Sequence, residues 1–501
     1  MKSPILGGSY VARSVNAADN VMINLFPEAV PEGGKEPAFI SRTPGLSVVT
    51  TVGTGPVRGE WNFGGYGYIA SGSSLYKIDT NYTATLLGTI SGSGPVSMSD
   101  NGTQLFVACN PNSYIYNSST GVFAQITDPD FPGAVTVGFL DGYFVFNQPD
   151  SQTLWVTSLY DGTSIDPLEF ASAEGNPDRI VSILVLHQEV WVFGTNSIEV
   201  WQDVGNVDFP LARIQGAFIE IGCQAPYSPA ILDNAVFWLG RDNRGSGMVY
   251  RSNGYNGVRV SNHALETAIQ SYGDISDAIG YSYQQDGHSF YMLIFPAADK
   301  TWCYDVATGE WHQRASWSDG QFYRHRSNCQ MNFADKILVG DYVNGNLYHF
   351  DLNVYTTEFA LLLESGSFLL LEDGEPITLE SNTGAIDRWV RSWRALPTGQ
   401  NNLKRTAHHS LQLDCETGVG IVTGQGSDPE VLLRWSDDGG HTWSNYHSRK
   451  MGKIGQYGYR TIWRRLGMTT KLRDRVYEIS GSDPVKVNIM GAELILSGTN
   501  A

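Results

Sequence analysis

The stretch that decides the fold is DGHSFYMLIFPAADKTWCYDVATGEWHQ, residues 286–313. An Asp-Gly turn leads into the apolar-aromatic run SFYMLIF, a second turn follows, and TWCYD and EWHQ are joined through Thr308-Gly309. Residues alternate along both of these aromatic-bearing segments, the period of a strand whose two faces meet different surroundings. Working outward, the same unit of turn, strand, turn and strand recurs. It appears as GYGYIASGSSLYKID from Gly65, NGTQLFVACNPNSYIYN from Asn101 and LDGYFVFNQPDSQTLWVTSL from Leu140. Further copies are LHQEVWVFGTNSIEVWQD from Leu186, LDNAVFWLGRDNRGSGMVYRS from Leu232 and FADKILVGDYVNGNLYHFDL from Phe333. Corresponding points fall roughly 40 to 55 residues apart, the length of one four-stranded propeller blade. A lone hairpin cannot bury both faces, whereas radial packing buries them and a closed ring leaves no open sheet edge.

Composition agrees with an all-β chain. Among 501 residues there are 55 Gly, 21 Pro, 13 Trp, 25 Tyr and 21 Phe, with only 17% charged, so turns and large flat side chains abound while long amphipathic helices are nearly absent. No run reaches the roughly 18 apolar residues of a membrane-spanning helix, and the first twenty residues lack the apolar core of a secretory signal. A soluble protein assembled in the cytoplasm is expected. The five cysteines, Cys109, Cys223, Cys303, Cys329 and Cys415, are far apart and form no C-x-x-C pair, which predicts buried free thiols.

Charge is unevenly placed. Residues 388–475 hold 15 Lys/Arg against 7 Asp/Glu, a local +8, which leaves −26 on the remainder of a chain whose formal net charge is −18. An acidic body argues against tight phosphate binding, although DNA can slide past a wall that repels it. The basic region suits pairing with a neighbouring subunit or partner. Arg388, Arg391, Arg394, Arg460, Arg464 and Arg465 are the candidate subunit or adaptor contacts.

The expected architecture is a six- or seven-bladed β-propeller with an inserted hairpin and a C-terminal β-sandwich-like domain. Residues 1–50 read as an N-terminal extended segment and first strand entry, and 51–354 as the propeller. Residues 355–386 read as a leucine-rich inserted hairpin, since LLLESG and LLLEDG recur eight residues apart. Its Leu361, Leu362, Leu363, Phe368, Leu369, Leu370 and Leu371 are the candidate tip or gate. Residues 387–501 read as a basic terminal β domain whose last strand closes back on the propeller. Residues 261–272 predict one short helix between blades, with Ser261 as its cap and Leu265, Ile269 and Tyr272 on one face.

Little in the sequence carries chemistry. Ser436, Asp438, Gly440, Thr442 and Trp443 fit the S-x-D-x-G-x-T-W turn known as an Asp box, in which the Ser and Asp side chains satisfy the turn's own amides. Such boxes are not catalytic in sialidases, where several occur, and here there is one, outside the blades. Neighbouring strand residues point to opposite faces, so His408 and His409 do not share a metal ion. No phosphate-binding loop or nucleophile elbow occurs. No enzyme, cofactor or metal is expected. A glycan-binding or glycan-degrading β-propeller is the alternative function.

Two separated segments carry a family resemblance: Asn24-Leu25-Phe26-Pro27-Glu28, and Thr43-Pro44-Gly45-Leu46. Together with GTNSIEVWQDVGNVDFP, IEIGCQAPYSPAILDNAVFWLG, VRVSNHALETAI and the basic IWRRLGM in the same order, they resemble the packaged-DNA stabilisation (tail hub or nozzle) proteins of short-tailed bacteriophages. The resemblance implies a virion tail protein, a homo-hexameric ring below the portal and adaptor that retains packaged DNA and forms the exit channel. It implies as partners the adaptor and portal, double-stranded DNA passing without sequence-specific binding, and in some members a tail needle or tail spike. It carries no catalytic residues, and residues 355–385 stand apart from it as an insertion.

Overall fold

A computed structural model describes the chain apart from residues 15–17, 174, 176–177, 207–208, 243–244, 319, 356–358, 361–377, 380–386, 398–404, 471–474 and 499–501. The proposed tip residues of the insertion, from Leu361 to Leu371, therefore lie outside the described residues. At the base of the insertion, Phe359–Ala360 and Thr378–Leu379 pair antiparallel.

Seven antiparallel sheets stand around one axis, which settles the blade count left open by the repeats. Their innermost strands are, in order, Val57–Phe63, Ser97–Asp100, Val137–Leu140, Ile180–Leu186, Ala230–Leu232, Ile279–Gln285 and Ser327–Phe333. Blades 1 to 6 are built from consecutive chain. Each seam is filled by aliphatic and aromatic side chains facing across from adjacent blades: Phe106, Phe144 and Phe146 between blades 2 and 3, Phe193 and Trp238 between blades 4 and 5. Two sheet faces a layer of side chains apart cannot admit water, so every seam contributes apolar burial to the ring.

Blade 7 supplies three of its own strands, and its outermost strand is Gly45–Thr51, from before blade 1. This corrects the expectation that the last strand closes the propeller. Asn488–Gly498 instead pairs with Thr406–Cys415, Ala38–Arg42 and Lys2–Ser3. Eleven residues of continuous strand found a long partner in the terminal sheet, while the closing position in blade 7 was already taken by a strand whose Leu46 enters the apolar seam with Tyr348 and Phe350.

The C-terminal region is a two-sheet sandwich, and the N-terminal segment is woven into both sheets. One contains Thr461–Arg464, Thr406–Cys415, Asn488–Gly498, Ala38–Arg42 and Leu25–Ala29. The other runs Met22–Ile23, Trp389–Arg394, Val476–Gly481, Glu430–Ser436 and His447–Lys450, and it continues blade 6 through a parallel contact of Ile23 with Gln313. Ile5, Met22, Leu25 and Ile40 share a core with Trp389, Trp393, Trp463 and Tyr477. The first 42 residues are thus a structural part of the sandwich rather than an extended lead-in.

The helix is His263–Gln270, with Leu265 and Ile269 buried. Its cap is Asn262, whose side chain accepts from the Leu265 amide at 2.9 Å, and not Ser261. Ser261 is occupied otherwise: its hydroxyl accepts from the Val249 amide and donates to Glu266. All five cysteines are free; four are buried and Cys329 is half-buried.

Candidate assembly surface

The terminal sandwich presents two edge strands on one side. Thr461–Arg464 pairs only with Thr406–Cys415, and His447–Lys450 only with Glu430–Ser436, among the described residues. The edges are tied together where Arg449 Nε donates to the Ile462 carbonyl at 3.1 Å. All four residues of His447–Lys450 are exposed. Unpaired strand edges invite further pairing, and positive side chains along them both blunt aggregation and select an acidic partner.

The six arginines proposed from sequence divide into two groups. Arg460, Arg464 and Arg465 are exposed at this edge, with Arg460 donating to Gln412 at 2.6 Å. Arg391 is 1% exposed and donates to the carbonyls of Ile5 and Gly8, so it holds the N-terminal segment and cannot meet a surface partner. Strand alternation turned it inward; the three-residue spacing of Arg388, Arg391 and Arg394 does not place them on one face. Arg388 is half-buried between Trp317, at 4.6 Å, and Tyr446, at 5.4 Å, where it joins a propeller-side hairpin to the sandwich. Arg394 is half-buried on the same strand.

The Asp box forms as its residue types dictate. Ser436 Oγ accepts from the Gly440 amide at 2.8 Å and donates to Asp438, while Asp438 accepts from the amide and hydroxyl of Thr442. These donated hydrogen bonds hold the Asp438 carboxyl well below the usual range. Trp443 lies against the Arg434 guanidinium, 4.6 Å from ring centre to cation. Next to it Asp437 receives both Nε and Nη2 of Arg475, at 2.7 and 2.9 Å. The box ties the turn between Glu430–Ser436 and the edge strand, and both its acids are engaged in structure.

Two sites were not read from the sequence. The first is Arg42, 4% exposed, which donates to the carbonyls of Asp483, Val485, Tyr355 and Asp387 and lies against the Tyr355 ring. Tyr355 and Asp387 flank the insertion, so one guanidinium gathers both its ends onto the sandwich. Burial lowers its pKa to about 10, still charged at neutral pH. The signal was an arginine directly before the Thr-Pro-Gly-Leu entry, inside an otherwise apolar segment.

The second is the propeller axis, a cavity of about 600 Å³ to which all seven inner strands contribute. Arg58 lines it and donates to the carbonyls of Gly94, Gly72 and Ser91. Asp100 accepts from Trp61 Nε1 and the Gly102 amide. Glu60, at the seam of blades 7 and 1, is 8% exposed, and burial pushes its carboxyl up to about 8. Its charged form has lost hydration without gaining a cationic partner among the described residues. His408, buried and paired with Tyr477 at 2.8 Å, and exposed His409 do lie on opposite faces. No cluster of three or more metal-ligating side chains occurs among the described residues, and no described helix is long and apolar enough to cross a membrane.

Comparison with known proteins extends this geometry. Residues 1–355 match the family model described as bacteriophage P22 Gp10, beta-propeller, and residues 388–496 match the one described as bacteriophage P22 Gp10, beta-sandwich. No curated protein matches. Among solved structures, the extracellular domain of the putative one component system BT4673 from B. thetaiotaomicron is 12% identical. It covers 87% of this chain and 57% of that one, with a TM-score of 0.42. The computationally designed Ika8 protein is 12% identical, covering 61% of this chain and 99% of that one at a TM-score of 0.39. The N-terminal domain of Nup159 is 10% identical, covering 66% and 98% at 0.39. The two family matches lie on either side of the insertion, and the chain belongs to the bacteriophage P22 Gp10 family, the packaged-DNA stabilisation or tail nozzle proteins, structural components of the phage virion tail.

Proposed function

We propose that this chain is the nozzle subunit of a short-tailed phage, six copies of which form a ring below the portal and adaptor that retains the packaged genome and lines its exit. The observation that carries this reading is the separation of charge onto two bodies of one chain: a sandwich with an exposed basic edge at Arg460, Arg464 and Arg465, and a propeller, residues 51–354, that holds 13 Lys/Arg against 30 Asp/Glu, a net of −17. A chain bearing both halves of an electrostatic match on different surfaces is suited to contact its own copies in sequence around a ring. The acidic balance further suits a wall past which DNA slides without adhering.

The geometry bears on where DNA passes. An axial cavity of about 600 Å³ has room for only about twenty waters at about 30 Å³ each, far less than a duplex threading it would fill. The exit channel in this reading therefore runs between copies, not through a propeller. Assembly takes place in the host cytoplasm onto the adaptor, with a tail needle or tail spike as further partners. The insertion, clamped at its ends by Arg42, is the element proposed to face the channel tip.

Native mass spectrometry of purified protein, with and without its adaptor, tests the ring. A hexamer bound to the adaptor is expected, weakening as ionic strength rises. A stable monomer at all concentrations that ignores the adaptor would overturn the assignment. Sugar release from a surface polysaccharide, abolished by one cavity carboxylate substitution, would favour a glycan-active propeller instead.

A further inference from the structure

At one end of the sandwich, beside the basic edge, the loops 416–429 and 451–460 expose apolar side chains together. Val422 and Tyr457 are each 78% exposed and Ile454 is 58%, and Ile421 and Tyr459 are exposed next to them. The two loops form one body. The Gly455 amide donates to the Gly418 carbonyl at 3.1 Å, Thr417 Oγ1 donates to the Tyr457 carbonyl at 2.8 Å, and the Ile421 amide donates to the Gly426 carbonyl at 3.0 Å. Gly418 packs so near the Tyr457 ring that an added Cβ would lie 2.9 Å from it. These side chains are thus held out by an ordered, cross-bonded backbone. Exposing several large apolar groups in one place costs solvation free energy that a covering partner recovers.

Exposed Lys453 and Arg460 border the patch, while Lys450 is paired with Asp428 and Lys486 with Glu416, so the margin is positive on balance. An apolar centre containing tyrosines within a charged margin is the composition of a specific protein interface. The sign of that margin selects the occupant. Two such patches repel one another, so the contact is not a symmetric pairing of like surfaces. The complementary negative charge resides on the rest of this same chain. We propose that this loop end docks, head to tail, on the acidic propeller of a second copy of the chain. The apolar side chains form the centre of the contact, and Lys453 and Arg460 orient it. A head-to-tail contact uses two different surfaces and leaves one of each free on every copy, so its repetition closes into a ring when the rotation allows. The inference rests on the ring reading above and assigns the surface that builds it.

The test uses the full chain in two variants, Val422→Ser/Tyr457→Ser and Lys453→Glu/Arg460→Glu, followed by sedimentation equilibrium and thermal melting. The changed side chains are exposed, so unaltered melting temperatures are expected, with the midpoint concentration for assembly raised by about thirtyfold or more. Photo-cross-linking from position 457 of the otherwise intact chain gives a second readout, and joins expected to fall within propeller residues 45–354 of another copy. Variants that assemble like the parent, or cross-links confined to a different protein, overturn the proposal while leaving the ring intact. A parent chain that never assembles, alone or with the adaptor, overturns both.

Discussion

Glu60 shows how a single side chain ties the ring to pH. An isolated glutamate ionises near 4.5, whereas burial at the seam of blades 7 and 1 holds this one protonated up to about 8. Between those values the unfolded chain has released the proton and the folded chain keeps it. Stability therefore falls with rising pH across that window, the loss being complete above about 8. Glu60→Gln removes the titration, so its gain in melting temperature over the parent should grow from pH 5 to pH 8.5; equal pH profiles would contradict the assignment. Gly340 belongs to the same seam, since an added Cβ would lie 2.3 Å from Val57 and 2.7 Å from the Glu60 carboxylate. Arg42 is the opposite case, a buried cation held by carbonyls. Arg42→Met leaves four carbonyls without that donor, at about 1–3 kcal/mol for each that stays unsatisfied. Urea unfolding should show a loss of more than about 3 kcal/mol. Neither site has a sequence motif, because each depends on what a distant segment places beside it.

At the scale of elements, the blades were legible and their closure was not. A blade's strands are neighbours in sequence, so alternation and turn residues at Thr308-Gly309 describe them completely. Gly45–Thr51 pairs with Asn346–Asp351 across some 300 residues, and nothing local distinguishes it from any other strand. Leu46→Ala should cost about 2–5 kcal/mol, because Leu46 is 1% exposed and the seam around it cannot collapse freely. Hydrogen exchange should then show early loss of protection in blade 7 and in the blade 1 strand Val57–Phe63, with blades 3 and 4 little changed. Uniform loss in all blades would show instead that the ring opens as one unit. The Asp box, by contrast, is a local pattern and folds as read, since its donors and acceptors lie within seven residues.

For the whole molecule, the N-terminal 42 residues decide whether the terminal region folds. Ile5, Met22, Leu25 and Ile40 enter the same core as Trp389, Trp393 and Trp463, and Arg391 is satisfied by Ile5 and Gly8. Removing residues 1–42 should leave one sandwich sheet without three strands, Lys2–Ser3, Leu25–Ala29 and Ala38–Arg42, and the other without Met22–Ile23, and these three tryptophans should lose their near-ultraviolet circular dichroism and shift their emission to the red. A truncated chain with native tryptophan spectra would mean that the sandwich is complete without them. The same weave fixes the sandwich to blade 6 through Ile23 and Gln313, so the basic edge and the acidic propeller are held at a set orientation within one copy. That fixed orientation is what a repeated head-to-tail contact requires.

Periodicity, turn chemistry and the order of separated motifs were enough to identify an all-β propeller with a terminal sandwich, its family, the Asp box, the helix and the opposed faces of His408 and His409, because each is written in residues close together. The tertiary structure alone decided the number of blades, the origin of the closing strand, the burial of Arg391 and the roles of Arg42 and Glu60. Those outcomes depend on which segment reaches a sheet edge or a seam first, and a side chain's surroundings across hundreds of residues leave no period in the chain.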